Sequence, residues 1–239
     1  LMQQRGKLKL IWCAFVLLGW LISATAFDQP AGHNDLEALQ ARRELVLITR
    51  NNAACYYEGP HGPTGFEYEL AKAFADYLGV ALRVQIMEEE REMIAALREG
   101  RGDIIAAGFP YGNRSAKLLS LGPGYLAVDQ QVVGRRGGPE ISDKKSLEGY
   151  TLWMTGNSAR LEYLQALRRV FPDIRWQVLD AYTSEDLLQM VWNRSLPLTV
   201  VDSNIMAINH PYFPELVKHL TLGEPRQLRW ATDPRNPHL

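Results

Sequence analysis

Cysteine is nearly absent from this chain. Only Cys13 and Cys55 occur, and Cys13 lies in an N-terminal apolar run, so the remainder has no internal disulfide to offer. Cys55 reads as a buried, bland thiol. Charge of one sign is lacking too: 26 Lys and Arg face 27 Asp and Glu, for a net charge of −1. That excludes both a basic footprint for nucleic acid and an acidic tail. The five histidines, His33, His61, His210, His219 and His238, show no metal-ligand spacing, so neither metal nor cofactor is expected. There is no Gly-x-Ser-x-Gly nucleophile turn and no phosphate-cradling glycine loop. The run Glu88-Glu89-Glu90 opens a helical stretch, where carboxylates complement the helix dipole. No catalytic residue is assigned.

What is present is an ordinary globular composition, 46 % hydrophobic and 22 % charged over 239 residues, enough for a real core in one or two domains. The first 27 residues read as a signal peptide or an N-terminal membrane anchor. Arg5, Lys7 and Lys9 precede an apolar run over 10–27, and Ala24-Thr25-Ala26 has the small-x-small form of a cleavage site. Trp12 before Cys13 is a poor context for lipid attachment. Residues 28–34 have linker composition, and 35–43 read as a lead-in helix.

Strand and helix patterns then alternate. Strands are expected at 45–49, 82–86 and 103–107, with a helix at 89–98 that turns Met93, Ala96 and Leu97 inward. After the loop 134–139 the pattern restarts: strand 151–154, helix 157–170, strand 174–179, helix 184–192, strand 198–201. This is an α/β chain with two lobes and mostly parallel sheets. Lobe 1 is expected over 44–128 and lobe 2 over 129–222, with a return to lobe 1 over 223–239. The crossings are read at 128–134 and near 222–227.

The most informative stretch is GPTGFEYELAKAFADYLGV, beginning at Gly62. Thr64 and Glu67 have the spacing of a capping box. Phe66, Leu70, Phe74 and Leu78 form a stripe that needs a core, and Gly79 stands where a left-handed C-cap is wanted. An aromatic loop around Tyr56-Tyr57-Glu58 precedes it. This unit resembles the opening of the bacterial solute-binding proteins of family 3, which capture amino acids in the periplasm. It is closer still to the N-terminal binding module of the membrane-bound lytic murein transglycosylase F family. The resemblance runs from about residue 36 to the C-terminus and implies a two-lobed periplasmic binding protein fold of type II. Residues 227–232 can be the return strand, but the proline-rich tail after it leaves out the closing helices of that fold. The first lobe is therefore expected to be incomplete at its C-terminal end, and the chain to be truncated before a transglycosylase domain. Transglycosylases of the resembled family use a glutamate followed by serine in a lysozyme-like helical domain; no Glu-Ser pair occurs here.

Four positions carry the expected site. Arg114 follows the 103–107 strand, and ligands of open α/β sheets sit outside the carboxyl ends of strands. A guanidinium there can take a carboxylate through paired hydrogen bonds, and the resemblance implies that it grips a ligand α-carboxylate. Asn157 and Ser158 begin a helix, where free N–H groups suit an anion; the same residue types serve as a plain N-cap. Asp202 ends the 198–201 strand, and the resemblance implies an amine-binding aspartate there; helix capping is the alternative. Tyr56, with Tyr111 as a weaker candidate, can cover an apolar or cationic ligand group. Plus, donor and minus from two lobes complement a zwitterion. The implied function is a periplasmic, membrane-associated sensor, at the outer membrane as in the resembled family. It would bind an amino acid or a peptidoglycan peptide fragment and regulate an attached transglycosylase. A receptor for an ABC importer of amino acids is the alternative, and a small dehydratase on this fold would need a crevice acid that the sequence does not offer.

Overall fold

The computed structural model describes residues 36–236 and 239. The signal peptide or anchor read at 1–27 and the linker read at 28–34 lie outside the described residues. Among those described, no helix is long and apolar enough to cross a membrane.

The chain opens with α1 (Leu36–Arg42) and β1 (Glu44–Thr49), followed by a small hairpin of β2 (Tyr57–Gly59) and β3 (Gly62–Thr64). Then come α2 (Phe66–Leu78), β4 (Ala81–Ile86), α3 (Glu90–Arg98), β5 (Ile104–Ile105), α4 (Asn113–Ala116) and β6 (Ser120–Leu121). The first sheet has the order β4-β1-β5, then β12 (Ala231–Thr232) and β6. β1 runs parallel to β4 and β5, in register from Glu44 opposite Ala81 to Thr49 opposite Ile86. β1 is buried along nearly its whole length, as a central parallel strand covered on both faces must be. Successive residues point to opposite faces. Accordingly, Ile48 joins Met93, Ala96, Leu97 and Ile105 in one cluster, while Leu47 joins Leu39, Ala71, Ala75 and Ile104 in another.

The second sheet has the order β11-β7-β10-β8-β9. Its members are β7 (Leu126–Arg135), β8 (Thr151–Met154), β9 (Arg175–Val178), β10 (Leu198–Asp202) and β11 (Leu216–Leu228). The helices α5 (Ser158–Arg168), α6 (Ser184–Trp192) and α7 (Ser203–Asn209) accompany it. The segments read from sequence as crossings lie inside β7 and β11, which pair antiparallel with each other. The chain passes between the sheets just beyond them, where the Gly122 N–H donates to the Trp230 carbonyl at 2.9 Å and the Tyr125 N–H to the Leu228 carbonyl at 3.1 Å.

Helix α2 forms where the periodicity places it, and Gly79 closes it in the left-handed region at φ 70°. Its start differs from expectation. No capping box forms: the N-cap is Gly65 at φ 131°, and Thr64 is still in β3. The free N–H groups of the first turn, on Glu67 and Tyr68, donate instead to the carbonyls of Ala54 and Cys55 at 3.3 and 3.0 Å. A Cβ at position 65 would stand 2.4 Å from the Cys55 carbonyl oxygen, so only glycine fits. The buried stripe is also rotated from the one expected. Glu67, Ala71 and Ala75 face inward, while Phe66 is 51 % and Leu70 38 % exposed. Alanine lets the helix axis approach the sheet closely; the larger side chains flank the contact, as Phe74 does edge-on to Trp230. The Glu67 carboxylate accepts from Trp230 Nε1 at 2.8 Å and from the Tyr125 hydroxyl. It thereby ties both inter-sheet links to α2.

Candidate functional site

A cleft of about 350 Å³ opens where the two sheets face each other. Its first wall comes from segments that follow strands of sheet one. Arg50 is the residue after β1, Glu88 to Arg91 follow β4 into α3, and Arg114 and Ser115 lie in α4 beyond β5. The second wall is the turn from β8 into α5, Thr155 to Ser158, with Asp180 and Tyr182 beyond β9. Both sets lie at carboxyl ends of parallel strands, where side chains converge without interrupting the sheets.

The expected residues divide into two groups. Arg114, Asn157 and Ser158 line the cleft together. Asp202, Tyr56 and Tyr111 are not among its lining residues. Tyr111 is buried in the core of lobe 1, edge-on to Phe109 with ring centres 5.3 Å apart. Tyr56 packs edge-on against Tyr68 at 5.5 Å, and its hydroxyl donates to Glu58. Asp202 is the N-cap of α7 but its side chain makes no cap bond. Its Oδ2 lies 3.3 Å from an Arg160 nitrogen, with both side chains buried. Arg160, 1 % exposed, also donates through Nη1 to the Thr155 carbonyl at 3.1 Å. Burial pushes the Arg160 guanidinium below its ordinary range, and the Asp202 charge opposes that shift. The aspartate's charge is thus balanced within the protein before any ligand amine arrives.

Asn157 is a true N-cap, its Oδ1 accepting from the Arg160 N–H at 3.0 Å. Its Nδ2 reaches across to the Pro110 carbonyl at 3.1 Å. Ser158 is also engaged across the cleft. Glu90 accepts from the Ser158 N–H at 2.7 Å and from Ser158 Oγ at 2.5 Å, and the Gly112 N–H donates to Oγ at 2.8 Å. Glu90 does not simply complement its own helix; it sits on the first turn of α5. Glu162 of α5 accepts in turn from the Asn113 and Arg114 N–H groups at 2.8 and 3.0 Å. Burial alone would raise the Glu162 carboxyl, but those two N–H donors and the Arg226 and Arg114 charges more than offset it, holding it below the usual glutamate range.

Sequence reasoning missed Arg50. Its guanidinium is largely buried, 3.6 Å from Glu88 and stacked over the Phe109 ring. The available signal was its position immediately after the buried strand β1. Tyr182, 42 % exposed at the cleft, is better placed than Tyr56 to cover a ligand.

With this geometry in view, comparison with known proteins is informative. Residues 45–219 match the family described as bacterial extracellular solute-binding proteins, family 3. A protein of Saccharophagus degradans named membrane-bound lytic murein transglycosylase F is 36 % identical over 82 % of this chain and 39 % of its own length. A protein of the same name from Pseudomonas putida is 35 % identical over 97 % of this chain and 46 % of its own length. The chain thus spans less than half the length of these curated relatives. Among solved structures, holo ArgBP from T. maritima superposes with a TM-score of 0.71 at 20 % identity, covering 83 % of this chain and 86 % of that one. An ancestral amino acid-binding protein, a precursor of cyclohexadienyl dehydratase, gives 0.72 at 20 % identity over 84 % of this chain and 87 % of its own. These likenesses show the fold, a two-lobed α/β binding protein of type II.

Proposed function

This chain belongs to the bacterial extracellular solute-binding proteins, family 3, and from that premise we propose that it is the periplasmic sensor module of a membrane-associated lytic murein transglycosylase. In this reading it binds an amino acid or a peptide fragment of peptidoglycan and regulates the attached enzyme. The lobes are read as the first sheet and the second sheet, each with its helices. The boundaries expected at 128 and 223 move to the Gly122–Tyr125 and Leu228–Trp230 links, because β7 begins at Leu126 and β11 runs to Leu228. The observation that carries the reading is the convergence of Arg114, Asn157 and Ser158, with Arg50, on one cleft between the two sheets. Arg114 takes a ligand carboxylate in paired hydrogen bonds, and Asn157 and Ser158 supply polar contacts beside it. Asp180 provides negative charge elsewhere in the same cleft for a cationic group, Glu88 being paired with Arg50, and Tyr182 gives an aromatic cover. Closing the lobes removes water and strengthens each contact. The similarity to transglycosylase F proteins over most of this chain supports the attachment. The pairing of Asp202 with Arg160 leaves no unbalanced aspartate there for an α-amine, whether of an amino acid or of a peptide fragment.

A thermal-shift screen of the purified chain tests this, with free amino acids in one arm and murein tripeptide and tetrapeptide stems in the other. A ligand at about a hundred times its Kd stabilises the folded state by roughly 2.7 kcal/mol, which for a chain of this size is about 5–10 °C. A shift with murein stems, abolished by Arg114→Ala, is the expected result. A shift with one free amino acid alone points to an importer receptor. No shift in either arm refutes the reading.

A further inference from the structure

Two carboxylates are exchanged between the lobes. Glu90 is the first residue of α3 and belongs to lobe 1, yet its carboxylate is bound by Ser158 at the start of α5 in lobe 2. Glu162 belongs to α5, yet it takes the N–H groups of Asn113 and Arg114 at the start of α4 in lobe 1. Each lobe caps a helix of the other. Between the two contacts lies Gly112. A Cβ there would stand 2.8 Å from the backbone carbon of Ser158 and 2.8 Å from Glu162 Oε1. The φ of −72° at this residue is ordinary, so close approach of the other lobe, and not backbone conformation, is what requires glycine. Asn157 Nδ2 to the Pro110 carbonyl extends the same seam, and Arg226 in β11 donates to the Tyr111 carbonyl at 3.2 Å beside it.

We infer that Glu90 and Glu162 form a reciprocal latch that holds the two lobes closed when no solute is bound. The bonds are direct and charge-assisted, which makes them about twice as strong as neutral ones. Every partner is supplied by the protein, so closure needs no ligand. A consequence follows, resting on the reading of this cleft as the solute site. Solute entry must break the Glu90–Ser158 contact, and apparent affinity is reduced by the fraction of molecules that are open. Glu90 therefore competes with the solute and does not bind it.

Hydrogen exchange of the full, ligand-free chain tests the latch without reference to any solute. Asn113 and Arg114 are exposed residues on a four-residue helix, whose amides exchange rapidly unless Glu162 holds them. The expected result is slow exchange at Asn113, Arg114 and Ser158 in the wild type. In the Glu90→Gln, Glu162→Gln double variant these amides should exchange at least about tenfold faster, while the β1 amides stay protected. Fast exchange in the wild type, or no change in the variant, overturns the inference. Should the variant lose β1 protection as well, Gly112→Ala carries the same test with both carboxylates in place: release confined to the seam supports the latch, and unchanged protection refutes it. In the solute arm, a ligand found in the thermal screen should bind Glu90→Gln about tenfold more tightly if the open fraction is about one in ten. Weaker binding would make Glu90 a ligand contact and overturn its role as competitor. Absence of any ligand would sink the functional reading and leave the exchange result standing.

Discussion

Replacing Glu67 by alanine removes the group that fastens both inter-sheet links. The carboxylate is 1 % exposed and accepts from Trp230 Nε1 at 2.8 Å and from the Tyr125 hydroxyl. Each buried donor left without a partner costs about 1–3 kcal/mol. Tyr125 and Trp230 are only partly buried, so the lower half of that range applies, about 2–4 kcal/mol for the pair. Relief of the buried carboxylate offsets part of this, leaving a net loss of about 2–3 kcal/mol. For a chain of this size the melting temperature should fall by roughly 4–12 °C, read by circular dichroism. A double-mutant cycle with Tyr125→Phe should show coupling of at least about 0.5 kcal/mol. The pH dependence has a definite sign. Burial, opposed by the Tyr125 and Trp230 hydrogen bonds and the Gly108 N–H, raises the Glu67 carboxyl above its ordinary 4.5. The folded state therefore holds its proton longer than the unfolded state. This contribution is fully present below the ordinary value and is lost as pH rises through the raised one. Wild type should lose stability relative to Glu67→Gln across that window and run parallel to it above. A loss below about 0.5 kcal/mol for Glu67→Ala, or strict additivity with Tyr125→Phe, would refute the reasoning.

Three further outcomes follow from the same structure. Asp202→Ala strands the buried Arg160 guanidinium and should cost about 3–5 kcal/mol in urea unfolding; a loss under about 1 kcal/mol would mean that Arg160 finds water or another partner. Cys55 is fully buried and its thiol is pushed up to about 12 by burial, so a thiol reagent at about pH 8 should label the folded chain orders of magnitude more slowly than the urea-unfolded chain; comparable rates would contradict its burial. Gly65→Ala meets the Cys55 carbonyl, whereas Gly79→Ala meets nothing within 4 Å. The first should therefore destabilise by about 2 kcal/mol or more and the second by about 1 kcal/mol; equal melting temperatures would show that close approach at position 65 does not matter.

Much of this architecture was legible because it rests on local periodicity. The apolar run of β1, the stripe of α3 and the terminal glycine of α2 are each decided within a dozen residues, and each appears where it reads. The N-terminus of α2 was not legible in the same way. Thr64-x-x-Glu67 and Thr183-x-x-Asp186 have the same spacing, yet only the second forms a capping box. At the first, Gly65 takes a positive φ and the Ala54 carbonyl takes the Glu67 N–H, a contact fixed by tertiary packing. The site divides along the same line. Arg114, Asn157 and Ser158 follow strands and could be placed at carboxyl ends from sequence. The partner of Asp202 could not be, because Arg160 approaches it from another helix. Nor could the role of Glu90, whose carboxylate leaves its own helix for the other lobe. Tyr56 and Tyr111 show the limit for aromatics: a ring near a strand end packs as readily into the core as against a cleft.

The central claim is that the cleft between the two sheets receives a carboxylate-bearing solute on Arg114. Titration calorimetry with a murein tetrapeptide stem, on wild type and on Arg114→Ala, tests it most directly. The account predicts saturable binding to the wild type and a loss of at least about tenfold in affinity for the variant, since a charge-assisted bond contributes about 1.5–3 kcal/mol. Equal affinity in the two proteins would place the ligand elsewhere and contradict the account.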